Sequence, residues 1–81
     1  MTEMPYTIRF APKIANQLRK LPIKQRRLVL RFAEALAINP RPPGASRIEG
    51  MTGLYLEALE SLNLNLIYKI EEQTVLLLFM R

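Results

Sequence analysis

Cysteine, histidine, aspartate and tryptophan are all missing from the 81 residues of this chain. Each absence removes a class of chemistry. Without cysteine no disulfide can staple the fold, which fits a reducing compartment but does not require one. Without cysteine or histidine a zinc site lacks its usual donors, so no metal is expected. Serine–histidine–aspartate and cysteine–histidine catalysis are impossible. Nothing suggests a cofactor. Long apolar runs are missing too: the longest, Val75 to Met80, is far too short to span a bilayer. The opening Met1-Thr2-Glu3-Met4-Pro5 lacks a basic region followed by an apolar run. No signal peptide is therefore expected, and the chain reads as cytoplasmic, with no membrane partner.

What is present is basic. Twelve Lys and Arg stand against seven Glu, a net charge of +5, and eight of the twelve are Arg. Arginine forks onto carboxylate and phosphate, so an acidic protein and a nucleic acid are the two partner classes that charge suggests. The plainer reading is a generic basic surface. A chain of this length suits one domain, 1–81, with a thin stability margin that a partner often supplements.

Tyr6, Ile8 and Phe10 alternate with Thr7 and Arg9, which predicts a strand. Ala11-Pro12 opens a helix reaching Leu21, with Ile14, Leu18 and Leu21 on one stripe and Lys13, Gln17 and Lys20 opposite. Pro22 breaks it. A second helix runs from Ile23 to Ile38, and its apolar residues cover roughly 220° of circumference, far more than an ordinary surface helix. The loop Asn39-Pro40-Arg41-Pro42-Pro43-Gly44 ends it. Further strands are expected at Arg47–Glu49, Leu54–Glu60, Leu64–Ile70 and Thr74–Met80, with turns at Gly50–Gly53, Ser61–Asn63 and Glu71–Gln73. The last strand, apolar on both faces, should be interior. The fold class is α+β: a strand, an antiparallel helical hairpin, then three to four mostly antiparallel strands. Ile14, Leu18, Val29, Ala33, Leu36, Leu66, Tyr68 and Leu77 are the expected core.

Several blocks in this order resemble toxins of the RelE/ParE superfamily from type II toxin–antitoxin systems. They are Tyr6-Thr7-Ile8-Arg9-Phe10-Ala11-Pro12-Lys13, Leu18-Arg19-Lys20-Leu21-Pro22, Asn39 to Ala45, Arg47-Ile48-Glu49-Gly50, Gly53-Leu54-Tyr55 and Leu66-Ile67-Tyr68. Each is weak alone; their order along almost the whole chain is more specific. The resemblance implies a toxin bound by a cognate antitoxin. RelE-like members cut messenger RNA on the ribosome, whereas ParE-like members poison DNA gyrase.

The resemblance also marks departures. RelE-like cleavage needs cations to hold the phosphate and stabilise its transition state. Where the family usually carries Lys or Arg after Tyr55, this chain has Leu56 and Ala58, and Asn65 replaces a usual Arg. The sequence stops at Arg81, so the family's basic C-terminal segment is expected to be lacking. No catalytic residue can be assigned. Three alternatives stand: a catalytically silent relative that binds an antitoxin or target, an active nuclease in which surviving residues such as Arg47, Lys69 and Arg81 support a rearranged site, or a gyrase inhibitor of the ParE type. Arg47, Lys69 and Arg81 are the candidates for nucleic-acid contact, each with simple solvation as the competing explanation. Lys69 and Asn65 should share a strand face. Tyr55 and Tyr68 read as core or edge residues rather than stacking platforms. Lys24, Arg26, Arg27 and Arg31 form a basic cluster suited to an acidic antitoxin or a nucleic acid, or merely to solvent. Leu28, Phe32 and Ala35 lie along one edge of the apolar arc. Leu28, Phe32, Arg27 and Arg31 are therefore the partner-binding candidates, for an antitoxin or a second copy of the chain.

Overall fold

The computed structural model describes residues 5–48, 50 and 53–81. The elements are β1 (Thr7–Phe10), α1 (Pro12–Lys20), α2 (Ile23–Ile38), β2 (Ala45–Arg47), β3 (Leu54–Leu59), β4 (Leu64–Glu71) and β5 (Thr74–Met80). A 3₁₀ turn, Glu60–Leu62, joins β3 to β4. This is the α+β order expected, with adjustments at the edges. The short strand lies at Ala45–Arg47, two residues earlier than expected, because the Pro42 carbonyl accepts from Ala45 N–H at 2.9 Å and turns the chain into pairing there. Glu49, Met51 and Thr52, where expectations were also placed, lie outside the described residues.

Proline at the first position fixes φ for α1, whose N-cap Ala11 supplies no side-chain bond. Leu21 adopts an extended conformation before Pro22. The α1 C-terminus is then closed by Arg26 from the next helix. Its Nε donates to the Leu18 carbonyl at 3.0 Å, and a terminal nitrogen donates to Leu21 and Arg19 at 3.2 and 3.3 Å. A cation belongs at that end of a helix dipole. Arg26 thus leaves the basic cluster assigned to it and holds the hairpin together.

The sheet runs β1-β5-β4-β3-β2; β1 pairs with β5 in parallel and every other pair is antiparallel. Its interior strands β5 and β4 supply Leu66, Tyr68, Val75, Leu77 and Met80 to the core, against Ile14, Leu18, Val29, Ala33 and Leu36 of the helices. All eight expected core residues are buried. Between Tyr68↔Leu77 and Ile67↔Phe79 the register shifts, leaving Leu78 as an extra residue on β5. Where β1 ends, the Gln17 amide takes over the β5 edge: its nitrogen donates to the Met80 carbonyl and its oxygen accepts from Met80 N–H, both at 2.7 Å. Gln17 is therefore half-buried sheet edge, not part of a solvated helix face.

The wide apolar arc of α2 is covered differently from expectation. Val29, Ala33 and Leu36 are buried; Leu28 and Phe32 are half-buried, and Phe32 packs on the core. The large apolar residues left exposed on α2 are Ile23, Leu30 and Ile38. Phe10, at the sheet edge, is exposed as well.

Candidate functional site

Strand pairing sorts the side chains between two faces, because directly paired residues share a face and neighbours along a strand alternate. Tyr55, Leu59, Leu66, Tyr68, Val75 and Leu77 turn to the helices. The other face carries three cross-strand rows. The central one is Ser46–Leu56–Ile67–Phe79. On one side lies Leu54–Lys69–Leu76–Arg9. On the other lies Ala58–Asn65–Arg81, since Asn65 and Arg81 exchange both backbone bonds at 2.7 and 2.9 Å. Ile67 is buried yet stands apart from the helix-side core, as the middle of this second apolar surface should.

The open face is therefore an apolar floor between cations. Arg81 lies beside Asn65 and Ala58 at one end, where the Lys13 ammonium also sits 4.6 Å from the Phe79 ring centroid. Lys69 and Arg9 flank Leu76 at the other end, with Lys69 held by Glu71 at 2.5 Å. Of the nucleic-acid candidates, Lys69 and Arg81 thus share this face. Arg47 does not, because it pairs with Tyr55 and turns to the helix side. Lys69 and Asn65 share a face as expected. Sequence reading missed Arg9 and Lys13. Arg9 was legible as the outward residue of β1; Lys13 was not, because its place depends on how α1 docks. The central row holds no titratable group, so the face can hold a phosphate at its rim but has no acid–base pair at its centre.

The helix side carries a polar cluster beneath the proline-rich loop. The Tyr68 hydroxyl donates to the Pro40 carbonyl at 2.8 Å, and Arg41 Nε donates to the Tyr55 hydroxyl at 3.0 Å. The two tyrosine rings stack at 5.7 Å. This hydrogen bond raises the Arg41 pKa, and burial, then the Glu57 carboxylate, pushes the Tyr68 hydroxyl up. Glu57 is only 8% exposed and its Oε2 has no hydrogen-bond partner among the described residues; desolvation raises its pKa. A Cβ on Gly44 would lie 3.3 Å from Glu57 Oε1, so the loop passes directly over the carboxyl. Tyr55 and Tyr68 are core residues rather than stacking platforms. Arg27 and Arg31 are exposed on α2, and the remaining partner candidates Leu28 and Phe32 are the half-buried pair described above. No group of three or more metal-ligating side chains converges among the described residues. No helix among the described residues is long and apolar enough to cross a membrane.

Neither a family model nor a curated protein matches the chain. Solved structures do. The RelE–RelB complex of Pyrococcus horikoshii superposes with a TM-score of 0.83 at 22% identity, covering 96% of this chain and 94% of that one. The chain has the RelE fold. The RelBE2 toxin–antitoxin complex of Mycobacterium tuberculosis gives 0.79 at 26% identity, covering 94% and 95%. The isolated E. coli RelE toxin gives 0.78 at 23%, covering 93% of this chain and 81% of that one. In this chain's version of the RelE fold, the open face keeps cations at its rim and apolar or neutral side chains at Leu56, Ala58 and Asn65.

Proposed function

We propose that this chain is the toxin component, or a catalytically silent homologue, of a toxin–antitoxin system, and that it binds a cognate antitoxin. One observation carries the reading: the fold matches nearly end to end proteins that were solved as toxin–antitoxin complexes, one of them at 26% identity. The basic surface suits an acidic antitoxin segment, and the apolar residues left exposed on α2 supply hydrophobic area for it. Candidate contacts are Arg27, Arg31, Leu28 and Phe32 on α2. Co-expression with the short reading frame beside its gene tests the proposal. A stoichiometric complex, together with relief of any growth arrest caused by the chain alone, is the expected result. A neighbour that neither binds nor alters growth would remove the reading.

A second reading, contact with RNA, is favoured by Lys13, Lys69 and Arg81 on the open face. Cations at the rim would hold phosphates, and Phe79 would offer a ring to a base. Ribosome-dependent cleavage is the stronger form of this reading, and the uncharged central row argues against it.

A further inference from the structure

The outward face of α2 carries a stripe that the fold leaves uncovered. Ile23, Arg27, Leu30, Glu34 and Ile38 are all exposed. At 100° per residue they fall within about 80° of arc, and that arc is centred about 130° from Val29, Ala33 and Leu36, which face the core. Three of the five are large and apolar: Ile38 is 82% exposed, Ile23 60% and Leu30 37%. The other two carry opposite charges. Glu34 is the only acid of α2, beside Lys24, Arg26, Arg27 and Arg31. Neither Arg27 nor Glu34 makes an ion pair among the described residues.

The order of these residues is complementary to its own reverse. If two α2 helices lie antiparallel about the midpoint between Leu30 and Arg31, Ile23 of one meets Ile38 of the other, and Arg27 meets Glu34. The two Leu30 side chains pack together at the axis. Each of the outer contacts then occurs twice, as a twofold interface requires. Arg31 falls opposite Leu30, so no cation faces a cation. A parallel pairing would instead set Arg27 on Arg27 and Glu34 on Glu34. We infer that the chain on its own forms an antiparallel twofold dimer through this stripe of α2, the occupant being a second copy. Charge selects that occupant, because a partner must present a base and an acid at mirrored positions between apolar residues. A single helix pair buries little area, so the association is weak. The inference does not rest on the toxin–antitoxin reading; an antitoxin that covers this face competes with the second copy.

Sedimentation equilibrium of the full chain, loaded up to about 1 mM, tests it. The parent should show a monomer–dimer equilibrium. Arg27→Glu makes both charged positions of the stripe acidic, and Glu34→Arg makes both basic. Each reversal acts at two places in the dimer, so each variant alone should associate about tenfold or more weakly than the parent. Mixing the two variants should restore association as a heterodimer, because each acidic stripe then meets a basic one. Unfolded chains could not rescue one another, so the restoration also shows that both variants fold. Ile38→Asp, at a position with no packing in the core, should abolish the dimer. Three results would overturn the inference: a monomer at every concentration, a dimer indifferent to the reversals, or two weakened variants that mixing does not restore. A monomer whose Ile23, Leu30 and Ile38 methyl signals shift only when the product of the neighbouring reading frame is added would make that protein the occupant instead.

Discussion

Glu57 holds a position that costs free energy. It occupies a helix-facing site on β3, between Tyr55 and Leu59, where alternation calls for an apolar side chain. Burial raises its pKa, and Oε2 has no partner among the described residues, so folding favours the protonated acid. The sign follows: stability from this group is fully present below the pKa of an unfolded glutamate and is lost as pH rises through the raised folded value. Glu57→Gln should therefore be more stable than the parent at pH 8 by about 1–3 kcal/mol, the usual cost of an unsatisfied buried group. The advantage should shrink on acidification. Urea unfolding at pH 4 and pH 8 checks it; equal denaturation midpoints for the two proteins at pH 8 would show the carboxyl to be solvated. The neighbouring Tyr68→Phe should lose about 1–3 kcal/mol, since it strands the Pro40 carbonyl under the loop. Glu57 also explains why β3 reads poorly as a strand in the sequence.

At the scale of elements, the two helices are tied to their surroundings by side chains that sequence patterns assign to solvent. Gln17 completes the β5 edge by pairing with both backbone groups of Met80. Gln17→Ala should cost about 1–3 kcal/mol and speed amide exchange at Met80, because both groups lose their partner. Unchanged exchange there would mean that water replaces the amide without loss. On α2, Phe32 packs against the core and Leu28 is half-buried. The double substitution Phe32→Glu with Leu28→Lys is therefore expected to destabilise the chain by several kcal/mol, about 2–5 for the loss of core packing alone. Circular dichroism and thermal melting read this directly. A double mutant that stays folded and loses only partner binding would instead make this edge an interface.

For the whole molecule, the mixed sheet gives two faces with different roles. One builds the core with the helical hairpin; the other presents an apolar floor with cations around it. Leu56 and Ala58 cannot supply the positive charge that phosphoryl transfer needs, and Asn65 cannot either. The purified chain is therefore expected to give no, or very weak, messenger RNA cleavage in a translating extract. Robust codon-specific cleavage would refute that, and Arg81→Ala and Lys69→Ala would then be the first variants to assay, because both residues lie on the open face. Arg47→Ala serves as the control, since Arg47 projects to the other side.

The sequence alone determined what depends on local periodicity and backbone restriction. Both helices fall where the apolar residues at helical spacing and the prolines at 12, 22 and 40 place them. The interior position of β5 follows from its two apolar faces, and the buried set follows from the helical stripes and from alternation along β4 and β5. Only the tertiary structure decided which cations meet. Arg47 and Lys69 look alike in sequence, yet the pairing of Arg47 with Tyr55 puts them on opposite faces. Arg26 and Gln17 are polar residues of ordinary helix faces until neighbouring elements present unpaired carbonyls and an open strand edge to them. Likewise, β1 takes an edge position by pairing in parallel with the last strand, a contact between the two ends of the chain. Such long-range pairings are set by packing of distant segments, and no local pattern encodes them.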